Sequence, residues 1–187
     1  MACDAALRIG LVLMASGFSR RYGSNKLLIQ IDGISMIERA FNAIPEDAVK
    51  EIVVVTQYSE IKMIALKKGF SVITNDFAYE GISSSIKLGT EALVNMDGII
   101  FCVADQPYIK KETVKKLIDT FKEHPGEIIV PVSGGRRGNP CVFPKTVYDE
   151  LLKLKGENGG KSVISRHEDM VICVEVGSQE LLDVDEP

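Results

Sequence analysis

Tryptophan is absent from the 187 residues, and histidine occurs only at His124 and His167. So sparse a supply excludes a histidine-rich metal centre, and both residues fall in polar, helix-end surroundings that read as surface. The four cysteines, Cys3, Cys102, Cys141 and Cys173, are scattered and form no CxxC pair. Neither a zinc site nor a disulfide framework is indicated. Cys102 and Cys173 lie in apolar runs that read as core strands, and a reducing cytoplasm is the expected setting. No apolar run is long enough to span a bilayer. Met1 to Arg8 lacks the charged start, apolar stretch and cleavage pattern of a signal peptide. An excess of positive charge is missing too: the net charge is −4, and a nucleic-acid footprint needs a basic face. Neither nucleic acid nor membrane is an expected partner.

Hydrophobic residues make up 45% and charged residues 26%, the balance of a globular chain. The length suggests one domain over residues 1–187. Strand and helix patterns alternate. Expected strands are Leu7–Leu13, Glu51–Thr56, Phe70–Thr74, Gly98–Val103, Glu127–Val132 and Met170–Val176. Helical patterns fall on Ser35–Ala43, with Ser35 and Glu38 spaced as a capping box, and on Ser59–Lys68, with Gly69 as its stop. Ser83–Val94, Glu112–Glu123 and Lys145–Leu154 follow. Such alternation implies βαβ units and a mostly parallel central sheet covered by helices on both faces. Ser133–Pro140 and Gly156–Lys161 read as glycine-rich loops.

Ligands of open α/β sheets bind beyond the carboxyl ends of the strands, which gathers several unusual segments on one edge. The first strand runs into Met14-Ala15-Ser16-Gly17-Phe18-Ser19-Arg20-Arg21-Tyr22-Gly23-Ser24-Asn25-Lys26. Glycine permits close backbone approach to a ligand, consecutive N–H groups form an anion nest, and Arg21 and Lys26 suit phosphate oxygens. This is the pattern of a nucleotide phosphate site. Asp105, held in a turn by Gln106-Pro107, follows the fourth strand. A carboxylate there suits Mg²⁺, which takes one or two carboxylates plus phosphates and waters; turn stabilisation is the plainer alternative. Gly81-Ile82-Ser83-Ser84-Ser85 opens a helix. One serine suffices for an N-cap, so the surplus suggests donors for base or ribose. Gly134-Gly135-Arg136-Arg137-Gly138-Asn139-Pro140 suits an anionic acceptor or a solvated loop. A dinucleotide-binding G-x-G-x-x-G is ruled out by Gly17-Phe18-Ser19.

These residues resemble the MobA-like nucleotidyltransferases, the molybdenum cofactor cytidylyltransferases in particular. That family opens with Leu-Ala-Ala-Gly-x-Ser-x-Arg-x-Gly-x-x-Lys, and Gly17, Ser19, Arg21, Gly23 and Lys26 match it. Gly81–Ser85, Asp105-Gln106-Pro107 and Arg137-Gly138-Asn139-Pro140 are similar to later motifs in the right order. The resemblance implies a three-layer, Rossmann-like nucleotide-diphospho-sugar transferase fold. It implies transfer of CMP from CTP to the phosphate of a molybdopterin-type acceptor, with pyrophosphate released. Arg21, Lys26 and Asp105 would be catalytic. Ala15, Ser16, Gly17, Ser19, Arg21, Lys26, Asn75, Gly81, Ser83, Ser84 and Ser85 would bind the nucleotide. Arg136, Arg137, Gly138, Asn139 and Pro140 would receive the acceptor. Mg²⁺, with Mn²⁺ as a substitute, would sit on Asp105 and Asp185, and a molybdenum hydroxylase would receive the product. The related guanylyltransferases carry Leu-Ala-Gly-Gly at the first loop. Met14-Ala15-Ser16-Gly17 departs from both patterns, and the Ser16 side chain leans to the cytidylyl side. Asp183-Val184-Asp185-Glu186-Pro187 is similar to the family's Asp-x-Asp-Thr-Pro ending but lacks the threonine. Glu157 stands where the family has aspartate in Gly-Asp-x-Gly. The alternatives are a guanylyltransferase, another small-phosphate nucleotidyltransferase, and a nucleotide-binding chaperone for a molybdenum enzyme.

Overall fold

The computed structural model describes residues 6–18 and 25–183. Its centre is an eight-stranded sheet. In chain order the strands are β1 (Ile9–Ala15), β2 (Gln30–Ile31), β3 (Ile34–Ser35), β4 (Glu51–Thr56), β5 (Ser71–Thr74), β6 (Gly98–Val103), β7 (Ile128–Ser133), β8 (Arg136–Arg137), β9 (Cys141–Pro144) and β10 (Val171–Glu175). The large sheet runs β10-β7-β9-β6-β1-β4-β5, with β8 paired to β7, while β2 and β3 form a separate small hairpin. β1 pairs in parallel with both β4 and β6, and β4 with β5. The expected strands are present with ends shifted by a residue or two. β9 was not anticipated. It enters between β6 and β7 antiparallel to both, so β6 and β7 run in the same direction with β9 as a spacer.

The helices are α1 (Met36–Asn42), α2 (Ser59–Lys67), α3 (Ile82–Ala92), α4 (Lys111–Glu123), α5 (Tyr148–Leu152) and α6 (Gly160–Ile164). Alternating side chains of the strands feed two cores, one on each face. Leu11, Leu13, Val54, Ile100, Ile129 and Val142 pack with Phe41 of α1, Ile61 of α2 and Leu117 and Phe121 of α4. Val12, Val53, Val55, Phe101 and Phe143 pack with Ile86 of α3, Leu151 of α5 and Val163 of α6. Runs such as Ile52-Val53-Val54-Val55 are apolar throughout because both faces are covered. Gly89 lets α3 sit directly on β1, since an added Cβ would lie 2.7 Å from both methyls of Val12.

Local chemistry sets several boundaries. Ser35 and Glu38 form the capping box reciprocally at the start of α1. Lys145–Leu154 is less regular than its pattern suggests: a 3-10 turn over Lys145–Val147 precedes α5. Ser133–Pro140 is not a long loop. Gly134 and Gly135, both at positive φ, turn the chain so that Arg136 and Arg137 pair back onto Ser133 and Val132. Cys102 and Cys141 are buried and burial pushes both thiols up, Cys141 to about 12. Cys173 corrects the core reading. It lies on the edge strand β10 and is exposed. Among the described residues, no helix is long and apolar enough to cross a membrane.

Candidate active site

Beyond the carboxyl ends of β1 and β6 lies a cleft of about 410 Å³. Its lining includes Ser16 and Gly17 from the exit of β1, Lys26, Ala104 and Asp105 from the exit of β6, Ser85 from α3 and Glu157 from the second glycine-rich loop. At its floor the Lys26 ammonium meets the Asp105 carboxylate across 2.9 Å. The lysine side chain is 11% exposed and the carboxylate 32%. The pair joins segments 79 residues apart. Asn25 sets Lys26 in place: its side-chain oxygen accepts from Leu27 N–H at 3.1 Å and so caps the short 3-10 turn Lys26–Leu28.

The exit of β1 is held by three consecutive residues of β4 and its own exit. Thr56 Oγ1 donates to the Ala15 carbonyl at 2.9 Å, Gln57 Nε2 to Ser16 at 2.6 Å, and the Tyr58 hydroxyl to Gly17 at 2.6 Å. Each of these carbonyl oxygens, which would repel a phosphate, is thereby occupied by a donor from the end of β4 or the two residues that follow it. Ser16 Oγ in turn donates to the Val55 carbonyl at 3.1 Å. Sequence reasoning missed Thr56, Gln57 and Tyr58. Their link to residues 15–17 is across the sheet, and no local spacing announces it.

The serine run is used differently from a simple cap. Gly81, at φ 92°, is the N-cap of α3 and offers no side chain. An added Cβ there would lie 2.6 Å from the Gly156 backbone, and Gly156 O accepts from Ser83 N–H at 3.2 Å. The second glycine-rich loop is therefore docked on the start of α3, which brings Glu157 to the cleft. Asn75, at the exit of β5, is 1% exposed. Its amide donates to Ser84 Oγ at 2.9 Å and Ser85 Oγ at 3.1 Å, while its oxygen accepts from Phe77 N–H. Ser84 Oγ donates to the Gly81 carbonyl at 2.8 Å. Asn75 and Ser84 are thus committed within the protein through their side chains, Ser83 is buried with its backbone N–H bound to Gly156, and Gly81 and Ser85 are the members of the set that line the cleft.

The Arg136–Pro140 segment does not line this cleft. Arg137 forms a two-point ion pair with Glu168, at 2.8 Å on each branch, and Gly138 packs under Leu181. The guanidinium hydrogen bonds hold the Glu168 carboxyl below the usual range. Ser19, Arg21 and Asp185 lie outside the described residues. Among the described residues no group of three or more His, Cys, Asp or Glu side chains converges as a metal cage. A divalent cation that takes one carboxylate and fills its sphere with phosphate oxygens and water needs no cage, and Asp105 at the cleft floor fits that requirement.

The family model for the MobA-like NTP transferase domain matches residues 11–171. A probable molybdenum cofactor guanylyltransferase of Natranaerobius thermophilus is 31% identical over 68% of this chain. The match spans 62% of that relative's own length. Among solved structures, Rv0371c of Mycobacterium tuberculosis H37Rv superposes with a TM-score of 0.83 at 22% identity, covering 97% of this chain and 94% of that one. The same protein in complex with manganese gives 0.78 at 21% identity, over 96% and 94%. With the family model spanning most of the sheet and its loops, the chain belongs to the MobA-like NTP transferase family.

Proposed function

We propose that the protein is a metal-dependent cytidylyltransferase that joins CMP from CTP to the terminal phosphate of a molybdopterin-type acceptor. The observation that carries this reading is the Lys26–Asp105 pair at the floor of the cleft, 2.9 Å apart. An acceptor phosphate oxygen attacks the α-phosphorus in line. The new O–P bond forms as the bond to the bridging oxygen of the β-phosphate breaks, and pyrophosphate leaves with the electron pair. Such a displacement needs positioning and charge stabilisation and no covalent protein intermediate. Lys26 and Arg21 neutralise charge on the α-phosphate and the leaving group. The backbone of Ala15–Gly17, with Ser19, Gly81 and Ser85, holds the nucleotide, while Asn75, Ser83 and Ser84 keep the wall beside Gly81 and Ser85 in shape. Asp105, with Asp185, would hold Mg²⁺ or Mn²⁺. A divalent ion bound there supplies neutralisation of the phosphate oxygens. Outside the cleft, the Arg136–Pro140 segment would meet the far, anionic end of the acceptor, through exposed Arg136 in the first place because Arg137 is paired with Glu168, and a molybdenum hydroxylase is the expected recipient of the product.

Ser16 supports CTP, because its side chain takes up room that the guanylyl-type glycine leaves open. GTP is the second reading, supported by the guanylyltransferase names of relatives such as that of Natranaerobius thermophilus. Pyrophosphate release, measured with molybdenum-loaded acceptor and each of the four nucleotides, tests both. CTP is expected to give the highest kcat/KM. A preference for GTP replaces the cytidylyl reading, and no release with any nucleotide removes the transferase reading.

A further inference from the structure

A buried carboxylate outside the cleft has no part in the chemistry above. Glu180 follows β10 and is only 5% exposed. Its oxygens accept from two backbone N–H groups, those of Lys110 and Gly177, each at 3.2 Å. Lys110 is the N-cap of α4, and no side chain of its own caps that helix. Glu180 supplies the acceptor from 70 residues away, and a carboxylate is the favoured partner of a helix N-terminus. The same segment is fixed at a second point: Gln106, 3% exposed, donates from Nε2 to Asp183 Oδ1 at 2.9 Å. Residues 106 and 110 bracket the turn that leads from Asp105 into α4. Beyond β10, the chain therefore runs along the carboxyl edge of the sheet, past β7 and β9, and is tied down on both sides of that turn.

We propose that segment 177–183 is a strap that fixes the Asp105 turn, with Glu180 as its latch and a positioning residue for divalent-metal binding. The inference rests on the reading that Asp105 holds the metal. Without the latch, the N-terminus of α4 and the turn lose their shared anchor, and Asp105 no longer meets the ion in one orientation. Glu180→Gln keeps one oxygen acceptor and Glu180→Ala keeps none, so the two variants should fall in order.

The test is Mn²⁺ titration in the presence of CTP, read by electron paramagnetic resonance, with steady-state kinetics on the same proteins. Loss of a group that orients a metal ligand costs about 10–100-fold in affinity or activity. Glu180→Ala is expected to weaken Mn²⁺ binding and lower kcat by that order, with the nucleotide KM within about twofold, and Glu180→Gln to recover part of both. Gln106→Met, which cuts only the second tie, should show the same pattern more weakly, and it decides the matter if Glu180→Ala does not fold. Wild-type Mn²⁺ affinity and kcat in these variants, beside an Asp105→Ala protein that loses the metal, would overturn the strap. Wild-type Mn²⁺ binding in Asp105→Ala would overturn the metal reading itself, and the inference with it.

Discussion

Lys26 holds the Asp105 oxygen that, on the proposed reading, an incoming cation would take. An ammonium in that position keeps a partly buried carboxylate paired before substrate arrives, which avoids the cost of an isolated charge. If a metal–nucleotide complex binds as proposed, Asp105 would hold the cation and Lys26 the phosphates. Substitution should therefore act with opposite signs on binding and on turnover. Removing a preorganised charge donor costs on the order of 3–4 kcal/mol in the transition state, so Lys26→Ala should slow kcat about a hundredfold or more while its circular dichroism stays that of the wild type. Lys26→Met should bind Mn²⁺ without nucleotide more tightly than wild type, because the competing cation is gone; equal or weaker binding by calorimetry would argue against the exchange. Gly81 gives a second, purely steric prediction. Its φ of 92° and the 2.6 Å approach to Gly156 leave no room for a methyl. Gly81→Ala should lose about 1–3 kcal/mol of stability from backbone strain alone, measured by urea denaturation.

The segments whose form depends on their own chemistry were legible from sequence: the Ser35–Glu38 box opening α1, the Gly69 stop after α2, the apolar runs of β4 and β6. Those decided by partners were not. Cys141–Pro144 is too short to show a strand period, and it becomes β9 only because β6 and β7 offer edges on either side. The Arg136–Arg137 stretch looks like a polar loop, yet two glycines fold it into a hairpin whose Arg137 is spent on Glu168. That pair gives the hairpin a defined pH dependence. The Glu168 carboxyl is lowered in the folded protein, chiefly by the Arg137 hydrogen bonds. Its contribution is present above the ordinary glutamate value of 4.5 and is lost as pH falls through the lower folded value. The stability difference between wild type and Arg137→Ala should thus be constant from about pH 8 to 5.5 and shrink below 4.5, as followed by urea midpoints.

Seen as one object, the molecule uses its two cores to bring together strand exits that lie far apart in the chain. The sequence marks residues 14–26, 81–85 and 105 as unusual, and the carboxyl-edge rule for open sheets unites them. The clamp from Thr56, Gln57 and Tyr58, the docking of Gly156 on α3 and the latch at Glu180 depend on three-dimensional neighbours that no periodicity encodes. A ligand seated in the cleft would touch several of these segments together, so its binding energy should resist unfolding of the whole sheet. Stabilisation by a ligand that binds only the native state is about 2.7 kcal/mol at a hundredfold excess over Kd. For a chain of this size, each kcal/mol raises Tm by about 2–4 °C. Saturating CTP with Mg²⁺ should therefore raise Tm by roughly 5–10 °C. Asp105→Ala should keep the smaller shift given by CTP alone and lose the increment that Mg²⁺ adds. An increment of wild-type size in that variant would place the ion elsewhere on the nucleotide and free the β6 exit from any part in holding it.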